Sequence, residues 1–230
     1  MRVRILPLIA AAVMVCLIPV PASAQLDKIS NQDASSGLRA ALEKAAGAAV
    51  DLLGKQDGFF GNPKFKIPLP ESLAKVDRML HSVGMGKYSD ELVLTMNRAA
   101  EAAMPEAKPL LVDAVKKLTM QDAKGILTGG RDSATQYFKR TTSDQLRTRF
   151  LPIVKKATEK VKLAEKYNQY AEKGVKFGLV KRQGANLDDY VTQKALDGLF
   201  LMIAEEEKRI RENPAQAASA IIKKVFGALK

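Results

Sequence analysis

The sequence predicts an all-α fold, and three observations carry that expectation. Alanine, leucine and lysine dominate the chain beyond residue 24, apolar residues recur there at three- and four-residue spacing, and the alternating β-branched runs of strands are scarce. Helix start and stop signals then divide the chain into about eight or nine helices.

Taken in order, Asn31 or Asp33 is placed to cap a first helix bearing Leu38, Leu42, Ala45, Ala49 and Leu52 and ending near Gly54. The proline-flanked stretch Ile67-Pro-Leu-Pro70 is expected to be extended. Pro70 then opens a helix to Val83, closed by Gly84. Ser89 is expected to cap a third helix through Met104, and Pro105 to begin a fourth to about Leu118. Thr119 with Asp122 reads as a capping box for a short helix ending at Thr128-Gly-Gly130. Asp132 would start another short one through Lys139. Thr142 or Ser143 would cap a long helix, kinked at Pro152 and fading near Gly174. Asn186 caps the last long helix, Leu187 to Asn213, and Pro214 restarts a short terminal one. With no repeat, low-complexity tract or long linker, residues 25–230 are expected to form a single helical domain.

Residues 1–24 read as a secretory signal peptide. Met1-Arg-Val-Arg4 is a basic head, Ile5 to Val20 is almost wholly apolar, and Ala22-Ser-Ala24 supplies a small-x-small cleavage site before Gln25. Export to the periplasm or beyond is therefore expected, with no transmembrane anchor left after cleavage. Cys16, the single cysteine, lies inside that segment. A cysteine-free mature chain excludes disulfides, thiolate catalysis and cysteine-ligated metals.

Charge is concentrated. Between Lys139 and Arg182 stand 13 basic and 4 acidic residues, while the rest of the mature chain carries 22 and 21. Attraction to anionic partners should map to that segment, through Arg147, Arg149, Lys155, Lys156, Lys160, Lys162 and Lys166, with Lys173 and Lys176 further on. Phe150, Tyr167, Tyr170 and Phe177 are interleaved. Export turns the expectation away from nucleic acid and toward anionic lipid, envelope polysaccharide or an envelope protein.

No catalytic constellation stands out. His81 is the one histidine, without a second for a metal site, and no phosphate-cradling glycine loop is present, so neither metal nor cofactor is expected. Polar residues within apolar helices are more suggestive. Asn97, Arg98 and Glu101 share one strip of a helix. Asp197 interrupts a stretch that is apolar all round, which predicts a buried carboxylate needing a donor such as Arg98, Asn97, Thr135 or Tyr137. Such a network serves either as a ligand pocket or as packing. Glu205-Glu-Glu-Lys-Arg-Ile-Arg211, with opposite charges three and four apart, reads as a solvated face.

Several runs carry a resemblance. Asp57-Gly-Phe with Ile67-Pro-Leu-Pro, Met96-Asn-Arg-Ala-Ala-Glu101, Asp122-Ala-x-x-Ile-Leu-x-Gly129, Ala134-Thr-x-Tyr-Phe138, Tyr190-Val, Ala195-Leu-Asp-Gly-Leu-Phe200, Ala204-Glu-Glu and Val225-Phe-Gly227 resemble the bacterial envelope family catalogued as domain of unknown function 4197. The resemblance implies an exported, largely helical, single-domain protein and brings no catalytic residues with it. A non-enzymatic binding or interaction module is expected. The alternatives are a hydrolase using Glu101 and Asp197 as paired carboxylates, and a structural or assembly factor.

Overall fold

A computed structural model describes residues 30–176, 186–216 and 219–227, with only the backbone course of 170–176. Residues 1–24, with Cys16, lie outside the described residues, as does Phe177; the side chains of Tyr170, Lys173 and Lys176 do too. Among the described residues the fold is all-α. The helices are α1 (Asn31–Leu53), α2 (Ala74–Ser82), α3 (Lys87–Ala103), α4 (Ala107–Lys116), α5 (Met120–Thr128), α6 (Ser133–Thr158), α7 (Lys162–Lys176), α8 (Leu187–Glu212) and α9 (Ala220–Gly227). Short 3₁₀ turns at Glu71–Leu73, Met104–Glu106 and Pro214–Gln216 join some of them.

The caps explain most boundaries. Ser30, one residue before the expected Asn31, accepts the Asp33 amide hydrogen and starts α1. Thr119 and Asp122 form the expected capping box of α5, and Asn186 caps α8. Gly84 takes a φ of 75° after α2, a conformation that glycine reaches without strain. Ser89 is not a cap: α3 begins at Lys87, and the Ser89 hydroxyl donates to the Gly86 carbonyl inside the first turn.

The largest difference concerns α6. The expected short helix to Lys139 and the following long one are a single helix of 26 residues running through Pro152. Thr142 does not interrupt it, because its hydroxyl donates back to the Phe138 carbonyl and leaves the backbone ladder intact. The chain breaks instead after Thr158, so α7 is a separate helix.

Long helices α6 and α8 pack together, and both pack against α3; α1 lies against α8, α4 and α9. Buried Leu38, Leu42, Met96, Phe138, Phe150, Leu199 and Ile203 belong to one continuous apolar cluster. Small residues set the spacing. A Cβ on Gly37 would stand 2.5 Å from Val225 Cγ2, so only glycine lets α9 settle on α1 at this distance. No helix among the described residues is long and apolar enough to cross a membrane.

Candidate functional site

The irregular segment 54–70 folds as turns over 54–65 and runs without regular structure to Pro70; its turns pair some backbone groups internally, and the amides of Phe59, Phe60 and Ile67 need partners elsewhere. Helix α3 provides them. Asn97, wholly buried, accepts the Ile67 amide hydrogen at 2.8 Å and donates to the Ile67 carbonyl at 2.9 Å, pairing with one residue as a neighbouring strand would. Glu101, 4% exposed, accepts the amide hydrogens of Phe59 and Phe60 on Oε1 at 3.0 and 3.1 Å. Its Oε2 accepts from Arg98 at 2.6 Å, and the same guanidinium reaches Asp57 at 2.7 Å. Those two partners raise the Arg98 pKa, through the Glu101 hydrogen bond first and that of Asp57 second.

The other side of this clamp is α8. Phe59 is fully buried, and its ring edge lies where a Cβ on Gly198 would stand, 2.7 Å away. Thus the Asp57-Gly-Phe, Ile67-Pro-Leu-Pro, Asn97-Arg-Ala-Ala-Glu101 and Asp197-Gly-Leu-Phe200 runs meet in space. Phe60, partly exposed, lies under Lys66 and near Arg98, with the Lys66 Nζ 4.4 Å from its ring centre.

Asp197 does not join the network. It is exposed and accepts from Gln193 at 3.0 Å. The expectation of a buried carboxylate fails because α8 is not surrounded: Gln193, Lys194, Asp197 and Leu201 mark a face open to water. Thr135 and Tyr137 are buried but serve other partners. The Tyr137 hydroxyl donates to the Ala114 carbonyl at the end of α4, and burial pushes its pKa up.

The Glu205–Arg211 run also departs from its expected solvated face, since Glu206 and Glu207 are buried. Glu207 accepts the Ala134 and Thr135 amide hydrogens and the Thr135 hydroxyl, supplying negative charge at the N-terminus of α6. Arg211 pairs with Glu207 and donates to the Ile126 carbonyl near the end of α5. One ion pair on α8 therefore satisfies the ends of two helices. Opposite charges at i, i+4 look the same in sequence whether solvated or turned inward, which is why this pair was missed.

The basic segment divides into paired and open charges. Arg147 is bound to Asp189 at 2.6 Å across α6 and α8. With Lys139, Ser143, Asp144, Gln193 and Asp197 it lines a groove of about 320 Å³ between those helices. Lys155 has Glu159 at 3.9 Å. Lys156, Lys160, Lys162 and Lys166 are exposed around the α6–α7 corner, Arg149 is exposed more than two turns earlier on α6, and none of the five has an ion-pair partner among the described residues. His81 is exposed on α2, with Nδ1 3.2 Å from Asp77 Oδ1 and Nε2 3.7 Å from Asp90 Oδ1. The Asp77 backbone carbonyl, then these two carboxylates, raise its pKa. No group of three or more His, Cys, Asp or Glu side chains suited to a metal ion is found among the described residues.

Fold and site together define a class: a helical bundle in which one helix clamps a long irregular segment by side-chain to backbone hydrogen bonds. The chain belongs to the family described as a protein of unknown function, domain of unknown function 4197, which matches residues 28–227. No curated protein and no solved structure matches it.

Proposed function

We propose that the protein is a non-enzymatic envelope module that binds an anionic surface through the α6–α7 corner. The observation carrying this reading is the set of exposed cations Arg149, Lys156, Lys160, Lys162 and Lys166, without an ion-pair partner among the described residues and running along the C-terminal half of α6 into α7, in a chain of net charge +12. Phosphate-bearing lipid headgroups and anionic polysaccharide present the same chemistry to such a corner. Each basic residue near an anionic bilayer contributes about 1 kcal/mol, and this attraction is screened within about 8 Å at physiological salt. The signal-peptide reading of residues 1–24, with cleavage between Ala24 and Gln25, supports an envelope address and a soluble mature chain, taken here as one domain over 25–230.

The clamp supports a positioning role for Asn97, Arg98 and Glu101 better than the hydrolase alternative. A paired-carboxylate mechanism needs an accessible carboxylate free to exchange a proton. Glu101 is enclosed and already accepts three hydrogen bonds.

The test is cosedimentation with phosphatidylglycerol-containing and pure phosphatidylcholine vesicles, alongside binding to an anionic polysaccharide. The expected result is binding to one anionic material that weakens as salt rises. It should fall at least about tenfold when Arg149, Lys156, Lys160, Lys162 and Lys166 are all changed to Gln. Equal binding by that variant, with unchanged circular dichroism, would overturn the reading.

A further inference from the structure

The one histidine of the chain sits at the junction of α2 and α3. Helix α2 is anchored where it begins: Leu73, in the turn before it, is buried, and Val76 packs against the apolar cluster. No residue of α2 itself is buried, and Met79, His81 and Ser82 are exposed. Nine residues are too few for a helix to persist in water by local propensity alone. The half of α2 beyond Val76 therefore depends on whatever holds its end.

What holds that end is polar. The His81 ring lies on the residue that precedes α3, since a Cβ on Gly86 would stand 2.6 Å from ring Cδ2. Within α2, Nδ1 is 3.0 Å from the Asp77 carbonyl oxygen and 3.2 Å from Asp77 Oδ1. Across the junction, Nε2 is 3.7 Å from Asp90 Oδ1 in the first turn of α3. Asp77 and Asp90 are the charged groups that act on the ring from the two helices. Lys75, Arg78 and Lys87 are exposed on the same helices and pair with neither carboxylate.

A neutral imidazole has one donor nitrogen and one acceptor nitrogen. Here both nitrogens face oxygens that only accept, an arrangement that matches the imidazolium and turns a lone pair toward a carboxylate once the proton is lost. The Asp90 contact joins one helix to the other, and it is an ion pair only while the ring is charged.

We infer that His81 is a proton-operated latch: protonated, it fastens the C-terminal half of α2 to the first turn of α3, and neutral, it lets that half go while Leu73 and Val76 hold the start of the helix in place. The latch does not involve the basic residues of α6 and α7, so it stands or falls apart from the anionic-surface reading.

Because the chain has one histidine, the imidazole Cε1–H resonance reports the latch directly in a proton NMR titration of the full chain. The expected midpoint lies above 6.5 and moves down in Asp77→Asn and in Asp90→Asn. Glu43→Gln, a control at an exposed residue of α1, should leave it unchanged. Amide exchange of residues 79–85, corrected for its intrinsic pH dependence, should be at least about twofold more protected at about pH 5 than at about pH 8. His81→Gln and Asp90→Asn should remove that difference, with circular dichroism unchanged. A midpoint at or below 6.5, or equal protection at both pH values in the wild type, would overturn the inference. So would a midpoint that moves in Asp77→Asn but not in Asp90→Asn, which would confine the contact to α2.

Discussion

At the scale of single residues, the clamp rests on few groups whose removal has calculable consequences. Glu101→Ala would leave the Phe59 and Phe60 amide hydrogens without their acceptor and Arg98 without its shorter ion pair. Each orphaned buried donor is worth about 1–3 kcal/mol, so the expected loss of stability is about 3 kcal/mol or more, read from urea unfolding. Glu101→Gln, which retains an acceptor oxygen, should lose less. Gly198→Ala acts from the other side: a methyl group 2.7 Å from the Phe59 ring edge must displace that ring, at a cost of about 1–3 kcal/mol. A stability unchanged within about 0.5 kcal/mol in Glu101→Ala would show that solvent replaces the carboxylate freely.

At the scale of elements, titratable groups tie particular helices together. Thr119 hydroxyl donation, opposed by modest desolvation and aided by the Thr119 amide and Arg140, lowers the Asp122 pKa below its ordinary 3.8. A depressed carboxylate pKa gives stability that is present above the unfolded value and lost as pH falls through the folded one. The α5 cap should therefore weaken below about pH 4, and Asp122→Asn should flatten that acid limb of the stability curve. His81 has the opposite sign. Its raised pKa gives stability that is complete below its ordinary 6.5 and lost as pH rises through the higher folded value. Because Asp77 lies on α2 and Asp90 on α3, mild acid should tighten that junction, and His81→Gln should remove the dependence in amide exchange of α2.

The element scale also shows what could be read from the sequence. Capping residues act within three positions of the chain, so Thr119, Asn186 and the Gly54 and Gly84 stops were legible. Asn97, Arg98 and Glu101 were legible as one polar strip, since helical spacing fixes it. Their partners were not, because the acceptor–donor pairs span 30 to 42 residues and join side chains to an irregular backbone that has no periodicity. The Asp197 error has the same origin: an apolar run fixes which residues avoid water in general, while the face left open depends on where α6 and the 54–70 segment happen to lie.

At the scale of the molecule, exposed basic residues cluster along α6 and α7, and the proposed role in binding anionic material rests on them. Because the buried apolar residues form one cluster among the described residues, the chain should unfold in one transition, with near- and far-ultraviolet circular dichroism changing together. The clamp offers a way to watch the interior open. The amide hydrogens of Phe59, Phe60 and Ile67 lie in irregular chain, yet each is held by a side chain of α3. None can exchange with solvent until the 54–70 segment lifts away, so their three rates should converge on one value, and that shared rate would clock a single opening event within the folded protein.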